Sequence, residues 1–77
     1  MKTTVAITGW TADLRKVSLT TLIQDHAGMS LAAAKHYTDD VLEGRPVLLT
    51  LPSPDRAAAF RDALIDLGAQ AEIRDAV

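Results

Sequence analysis

The sequence KVSLTTLIQDHAGMSLAAAK, residues 16–35, decides the fold of this chain. Apolar residues recur at helical spacing on both sides of Gly28. Glycine readily adopts the left-handed backbone that ends a helix, and Ser30 can accept a hydrogen bond from the first turn of a following helix. The stretch therefore predicts two helices that fold against each other across a tight corner at Gly28.

Both helices have an apolar side in the sequence. The first is predicted over residues 14–27 with Asp13 as its N-cap, and its predicted apolar side comprises Leu14, Val17, Leu22, Ile23 and Ala27. The second is predicted over residues 31–43 and is ended by Gly44. Its predicted apolar stripe comprises Leu31, Ala34, Tyr37 or Thr38, Val41 and Leu42.

Three strands and a third helix are predicted around this pair. Alternating apolar and β-branched residues predict strands at residues 3–8, 45–51 and 69–74. Gly9 is predicted to end the first strand, which leaves Trp10 in a loop. Ser53 is the predicted N-cap of a helix over residues 54–67, because Pro54 suits the first helical position. The order β-α-α-β-α-β predicts an α+β fold, a two-layer α/β sandwich with a three-stranded sheet and three helices on one face.

The composition limits the possible functions. A chain of 77 residues predicts one domain, residues 1–77, with a modest core. The net charge is −2, and the charges are interspersed without a basic block, so we expect no nucleic-acid partner. No apolar run approaches the roughly 18 residues of a membrane span. The N-terminal residues do not resemble a signal peptide, so we expect a cytoplasmic protein without a membrane partner.

No pattern of catalytic or metal-binding residues is present in the sequence. There is no cysteine, no nucleophile elbow, no glycine-rich phosphate loop and no HExxH motif. His36 shares a helix face with a carboxylate from Asp39 or Asp40, but two protein ligands are too few for a specific metal site. Asp62 and Asp66 are predicted to lie on a solvated helix face. We therefore predict no enzymatic activity, no cofactor and no metal.

Four short motifs in the two-helix stretch resemble the C-terminal domain of the bacterial ribosomal stalk protein: Lys16-Val17, Leu22-Ile23, Gly28-Met29-Ser30-Leu31 and Ala34-Lys35. That family has Lys-Val, an apolar helix, Gly-Leu-Gly-Leu and Ala-Lys at this spacing. The end of the chain is similar too, through Ala63-Leu64, Gly68-Ala69 and the strand with Glu72 and Ile73. The implied fold is shared with the ClpS-type adaptor of the Clp protease, which residues 43–47 and the Met29-Ser30 corner also resemble.

The resemblance implies a protein-binding function. Stalk domains recruit GTPase translation factors through basic residues on the first of the two helices. Carried over to this chain, the contact residues are Lys16, Val17, Thr20, Gln24, Met29 and Lys35. Thr21 and Gln24 stand where the family has further cations. Trp10 is a further candidate, either as a partner-binding anchor or as a lid over the edge of the core. The predicted function is a non-enzymatic protein-binding module with an unspecified partner.

Two alternatives remain open at this stage. The segment RPVLLTL, residues 45–51, is apolar on both faces and could pair across a homodimer as an edge strand, or the dimer could form through a helix face. The chain could also be an adaptor-like binder without the pocket for an amino-terminal ammonium group. Residues 10–13 lack the acidic cluster of that pocket, and residues 41–43 lack its histidine.

Overall fold

The computed structural model describes residues 2–74 as six elements in the order β-α-α-β-α-β. They are β1 (Thr3–Trp10), α1 (Lys16–Ala27), α2 (Leu31–Leu42), β2 (Val47–Leu51), α3 (Pro54–Asp66) and β3 (Ala69–Arg74). The predicted α+β class and element order are confirmed. None of these helices combines the length and apolarity that crossing a membrane requires.

The sheet has the order β2-β1-β3, and both pairings are antiparallel. Val5 on β1 pairs with Leu49 on β2 and with Ile73 on β3. Paired residues share a face of the sheet, so these side chains lie side by side beneath the helices. Leu48 and Glu72 are exposed on the other face. The three helices thus cover one face, as predicted, and the second face is open within the described residues.

All three helices contribute to one core between the helical layer and the sheet. The largest fully buried side chains are Phe60, Ile7, Leu19, Ile23, Leu51, Leu64, Val5 and Val41. Ala34 on α2 is also fully buried, and its small side chain permits close packing of this helix against its neighbours. Burial of these side chains fixes the rotation of each helix about its axis, and hence which residues face solvent.

Three local predictions are confirmed by the backbone and the helix caps. Gly28 has φ +68°, in the left-handed region that ends α1. The Ser30 hydroxyl accepts a hydrogen bond from the Ala33 N–H at 3.2 Å and caps α2. The Ser53 hydroxyl accepts one from the Arg56 N–H at 3.3 Å and caps α3.

The predicted start of α1 is wrong. The helix begins at Lys16, and its N-cap is Arg15, whose side chain makes no capping hydrogen bond, rather than Asp13. Residues 11–15 instead bend onto the turn between α3 and β3. The Thr11 N–H donates to the Gly68 carbonyl at 2.8 Å, and the Arg15 N–H donates to the Leu67 carbonyl at 3.3 Å. These distant hydrogen bonds hold residues 11–15 outside the helix.

The predicted apolar sides of α1 and α2 are partly wrong. Val17 is 81% exposed and Leu31 is 60% exposed, whereas Leu19, absent from the predicted side, is fully buried. Successive residues of an α-helix are about 100° apart, so two residues that differ by two positions point to nearly opposite sides. Burial of Leu19 with Ile23 therefore turns Val17 outward. Leu31, at the first turn of α2, likewise lies outside the buried stripe.

The predicted end of the first strand is also wrong, because β1 continues to Trp10. Gly9 pairs with Gln70 and Trp10 pairs with Ala69, beyond a bulge at Thr8. Trp10 therefore belongs to the sheet rather than to a loop. The other element ends match the predictions or differ from them by one or two residues. At β2 the reason is local, because the Arg45 N–H donates to the Asp40 carbonyl at 2.9 Å and cannot join the sheet.

Candidate protein-binding groove

The packing of α1 against α2 leaves an open groove of about 350 Å³ between the two helices. Its lining residues are Lys16, Val17, Thr20, Thr21, Leu31, Lys35, Thr38, Asp39 and Leu42. Four of the seven residues predicted to bind a partner lie together here: Lys16, Val17, Thr20 and Lys35. The helix rotations set by the core therefore assemble much of the predicted contact face in one concave site.

The walls of the groove are apolar. Val17 on α1 is 81% exposed and Leu31 on α2 is 60% exposed, which makes them the two most exposed large apolar side chains in the described part of the chain. Leu42 on α2 is half-buried. Single exposed apolar residues are common on protein surfaces, but apolar residues grouped in a concavity with a polar rim are typical of interaction sites. The groove has this composition.

The floor of the groove is polar but internally satisfied. The hydroxyl oxygens of Thr20 and Thr38 lie 2.7 Å apart. A hydroxyl has one hydrogen, so one threonine donates to the other, and the threonine that accepts donates to the carbonyl one turn earlier, which is Lys16 at 3.2 Å for Thr20 or Ala34 at 3.1 Å for Thr38. Within residues 2–74, no buried side-chain nitrogen or oxygen lacks a hydrogen-bond partner. The floor therefore does not require a hydrogen bond from a ligand.

Two ammonium groups stand at the rim of the groove. Lys16 begins α1 and Lys35 lies on α2, and neither takes part in an ion pair within the described residues. The first turn of α1 contains no acidic side chain, so the positive end of the helix dipole adds to the charge of Lys16. Asp39 is the one carboxylate among the lining residues. The rim is therefore more suited to an anionic partner than to a cationic one.

The other three predicted contact residues do not line the groove. Gln24 and Met29 are half-buried, and Met29 packs against the core after the Gly28 corner. Trp10 is 43% exposed and lies at the end of β1 opposite Ala69. The predicted contact face is thus divided between the groove and separate positions.

Sequence reasoning missed five lining residues: Thr21, Leu31, Thr38, Asp39 and Leu42. A signal for part of this set is present in the sequence. Leu31, Lys35 and Asp39 are spaced by four residues, and Leu42 follows three residues later, which is the spacing of one helix face. Leu31 and Leu42 were instead predicted to face the core.

Other clusters of polar residues have simpler explanations. Asp40 pairs with Arg45 at 3.1 Å, and Asp62 pairs with Arg61 at 2.9 Å, both at the surface. Within residues 2–74, no three potential metal ligands lie close together. A larger open depression, about 680 Å³, lies beside the turn from α3 to β3, where Asp13 contributes to its wall. Most of its lining side chains are polar or small, so it lacks the paired apolar walls of the α1–α2 groove.

No protein-family model matches this chain, and no curated protein matches it. The fold and the groove define a small α+β protein with an apolar, cation-rimmed cleft between two helices. Its likeness to the stalk-domain and ClpS-like proteins stays a prediction from sequence motifs.

Proposed function

We propose that this protein is a non-enzymatic protein-binding module of the stalk-domain/ClpS-like kind, and that the α1–α2 groove is its contact face. The observation that carries the proposal is the placement of exposed Val17 and Leu31 in one groove with Lys16 and Lys35. Exposed apolar side chains at these positions contribute little to the core. They become favourable when a partner removes them from water.

The groove suits a partner segment that carries apolar side chains together with carboxylates. Full burial of a side chain of the size of Val17 or Leu31 contributes about 1.5–3 kcal/mol. The ammonium groups of Lys16 and Lys35 attract carboxylates and mainly affect the rate and specificity of association. Thr21 and Gln24 are neutral where the stalk family has cations, so the apolar walls supply the larger share of the affinity.

Two structural features support binding by a preformed surface. The Gly28 corner and the Ser30 cap fix the connection between the helices, and the Thr20–Thr38 hydrogen bond joins their facing sides. A groove that is already ordered loses less conformational entropy when a partner binds. The lining residues include no histidine and only one carboxylate, which supports binding rather than acid–base chemistry.

The proposal is tested by capture of a partner from an extract of the source cell on immobilised protein. Val17→Ser combined with Leu31→Ser should abolish capture. Lys16→Glu combined with Lys35→Glu should weaken it and reduce its dependence on salt. Ile65→Ser is the matched control, because Ile65 is 52% exposed on α3, outside the groove. Full capture by the Val17/Leu31 variant, with folding verified by thermal unfolding, would exclude this groove as the contact face.

A further inference from the structure

The two edges of the sheet differ in chemistry. β2 and β3 are the edge strands, because each is paired only with β1 in the described structure. β2 reads VLLTL and contains no charged residue, whereas β3 carries Glu72 and Arg74, which form an ion pair at 2.8 Å. Charged side chains on an edge strand oppose pairing with another chain. β3 has this protection, and β2 does not.

An exposed leucine accompanies the uncharged edge. Leu48 is 56% exposed on the open face of the sheet. Its paired residue on β1 is Ala6, whose small side chain is fully buried. Thr50, on the same face of β2, is also exposed. β2 thus has two features of a pairing edge. The backbone groups on its outer side have no strand partner in the described structure, and Leu48 is an apolar side chain that a neighbouring strand would cover.

We infer that two copies of this protein associate through antiparallel pairing of their β2 strands. When all five residues of β2 pair in antiparallel register with the five residues of the second copy's β2, Leu49 lies on the two-fold axis. Leu48 then lies opposite Thr50 of the second copy. Paired residues then belong to the same face in both copies, so the two helical layers lie on the same side of a continuous sheet. No charge of one β2 strand meets a like charge of the other.

The geometry of this pairing also limits its extent. Pro46 and Pro52 flank β2, and proline has no N–H to donate, so the ladder is confined to the five residues between them. The resulting sheet has six strands, and β3 forms both of its outer edges. Because β3 is charged, the assembly closes as a dimer instead of growing into a fibre.

This interaction goes beyond the proposed function and uses a different surface. The groove lies between α1 and α2, whereas the inferred dimer contact is the edge of the sheet. A ladder of five residues buries less surface than the roughly 1,200–2,000 Å² that a standard stable interface buries. The association is therefore weak and depends on protein concentration.

The first test is sedimentation velocity from about 10 µM to about 1 mM, the range in which weak association becomes populated. The sedimentation coefficient should rise toward that of a dimer. Leu48→Lys combined with Thr50→Lys should abolish this rise, because it places cations on both strands of the pair. The matched control is Gln70→Lys combined with Glu72→Lys, which changes two exposed residues at the same spacing on β3 and should leave association intact. A protein that stays monomeric, or a Leu48/Thr50 variant that still dimerises, overturns the inference.

The second test measures the register by disulfide formation. The chain contains no cysteine, so engineered thiols react without competition. Leu48→Cys and Thr50→Cys, prepared separately and mixed under mild oxidation, should form a mixed disulfide at least about ten times faster than the matched β3 pair, Gln70→Cys with Glu72→Cys, because pairing raises the effective thiol concentration. Equal rates at the two edges would show that any dimer uses another surface.

Discussion

The hydroxyl groups of Thr20 and Thr38 lie 2.7 Å apart and join α1 to α2 across the floor of the groove. Thr38 is 4% exposed, while Thr20 is half-buried at the base of the walls formed by Val17 and Leu31. A hydrogen bond between two β-branched residues, each with limited side-chain freedom, fixes the relative position of the helices at low entropic cost. The same contact therefore stabilises the fold and sets the width of the groove.

Loss of this hydrogen bond should be measurable as a coupling between the two residues. Thr38→Val preserves the shape of the side chain and removes the hydroxyl, and we expect it to lower the free energy of unfolding by about 1 kcal/mol. In a double-mutant cycle with Thr20→Val, measured by urea denaturation, the coupling energy should be about 0.5–1.5 kcal/mol. Purely additive effects would show that the contact contributes nothing in solution.

Two glycines should respond differently to alanine, although both have positive φ. Gly28 has φ +68° and open space around an added Cβ, so Gly28→Ala should cost about 1–2 kcal/mol through backbone strain alone. Gly68 has φ +107°, and an added Cβ would lie 2.8 Å from the backbone N and Cα of Leu14. Gly68→Ala should therefore be more destabilising than Gly28→Ala, because residues 11–15 must move as well. If urea denaturation shows that the two variants lose comparable free energies of unfolding, the close approach of Gly68 to Leu14 is contradicted.

The features predicted correctly are those with local causes. The corner at Gly28 requires a residue that tolerates positive φ, and the caps at Ser30 and Ser53 each need an oxygen near the first turn of a helix. The start of α1 has a distant cause. Residues 11–15 bind carbonyl groups of Leu67 and Gly68, more than fifty residues later in the chain. No local pattern contains that information.

The position of the groove could be predicted from the sequence, but the apolar residue that forms its wall on α1 could not. Its position on the first two helices followed from the sequence motifs, which placed Lys16, Val17, Thr20 and Lys35 there. The sequence did not show which apolar residues of α1 face outward. Val17 and Leu19 are both apolar, and because they are two positions apart they cannot both face the core. The choice between them depends on packing against α2, α3 and the sheet, and it places Val17 in the groove.

The start of α1 offers a stabilising substitution. Arg15 occupies the N-cap with an extended backbone, φ −98° and ψ 104°, but its side chain makes no capping hydrogen bond. Arg15→Asp supplies an acceptor for the first-turn N–H groups and a negative charge at the positive end of the helix. We expect it to raise the free energy of unfolding by about 1 kcal/mol relative to Arg15→Ala. The backbone hydrogen bond from Arg15 to Leu67 is retained in both variants, so a difference between them reports on the cap. If Arg15→Asp is no more stable than Arg15→Ala, the start of α1 does not gain from a cap.

Val17 and Leu19 provide the most direct test that the apolar wall serves binding rather than folding. Leu19 is fully buried, so Leu19→Ala should lower the free energy of unfolding by about 2–5 kcal/mol. Val17 is 81% exposed, so Val17→Ala should change it by no more than about 0.5 kcal/mol, as is usual for surface substitutions. Urea denaturation of both variants compares the free energies of unfolding for two substitutions that lie two residues apart on the same helix. A loss at Val17 as large as the loss at Leu19 would mean that the valine is covered in the protein in solution, and the groove could not then be an open contact face.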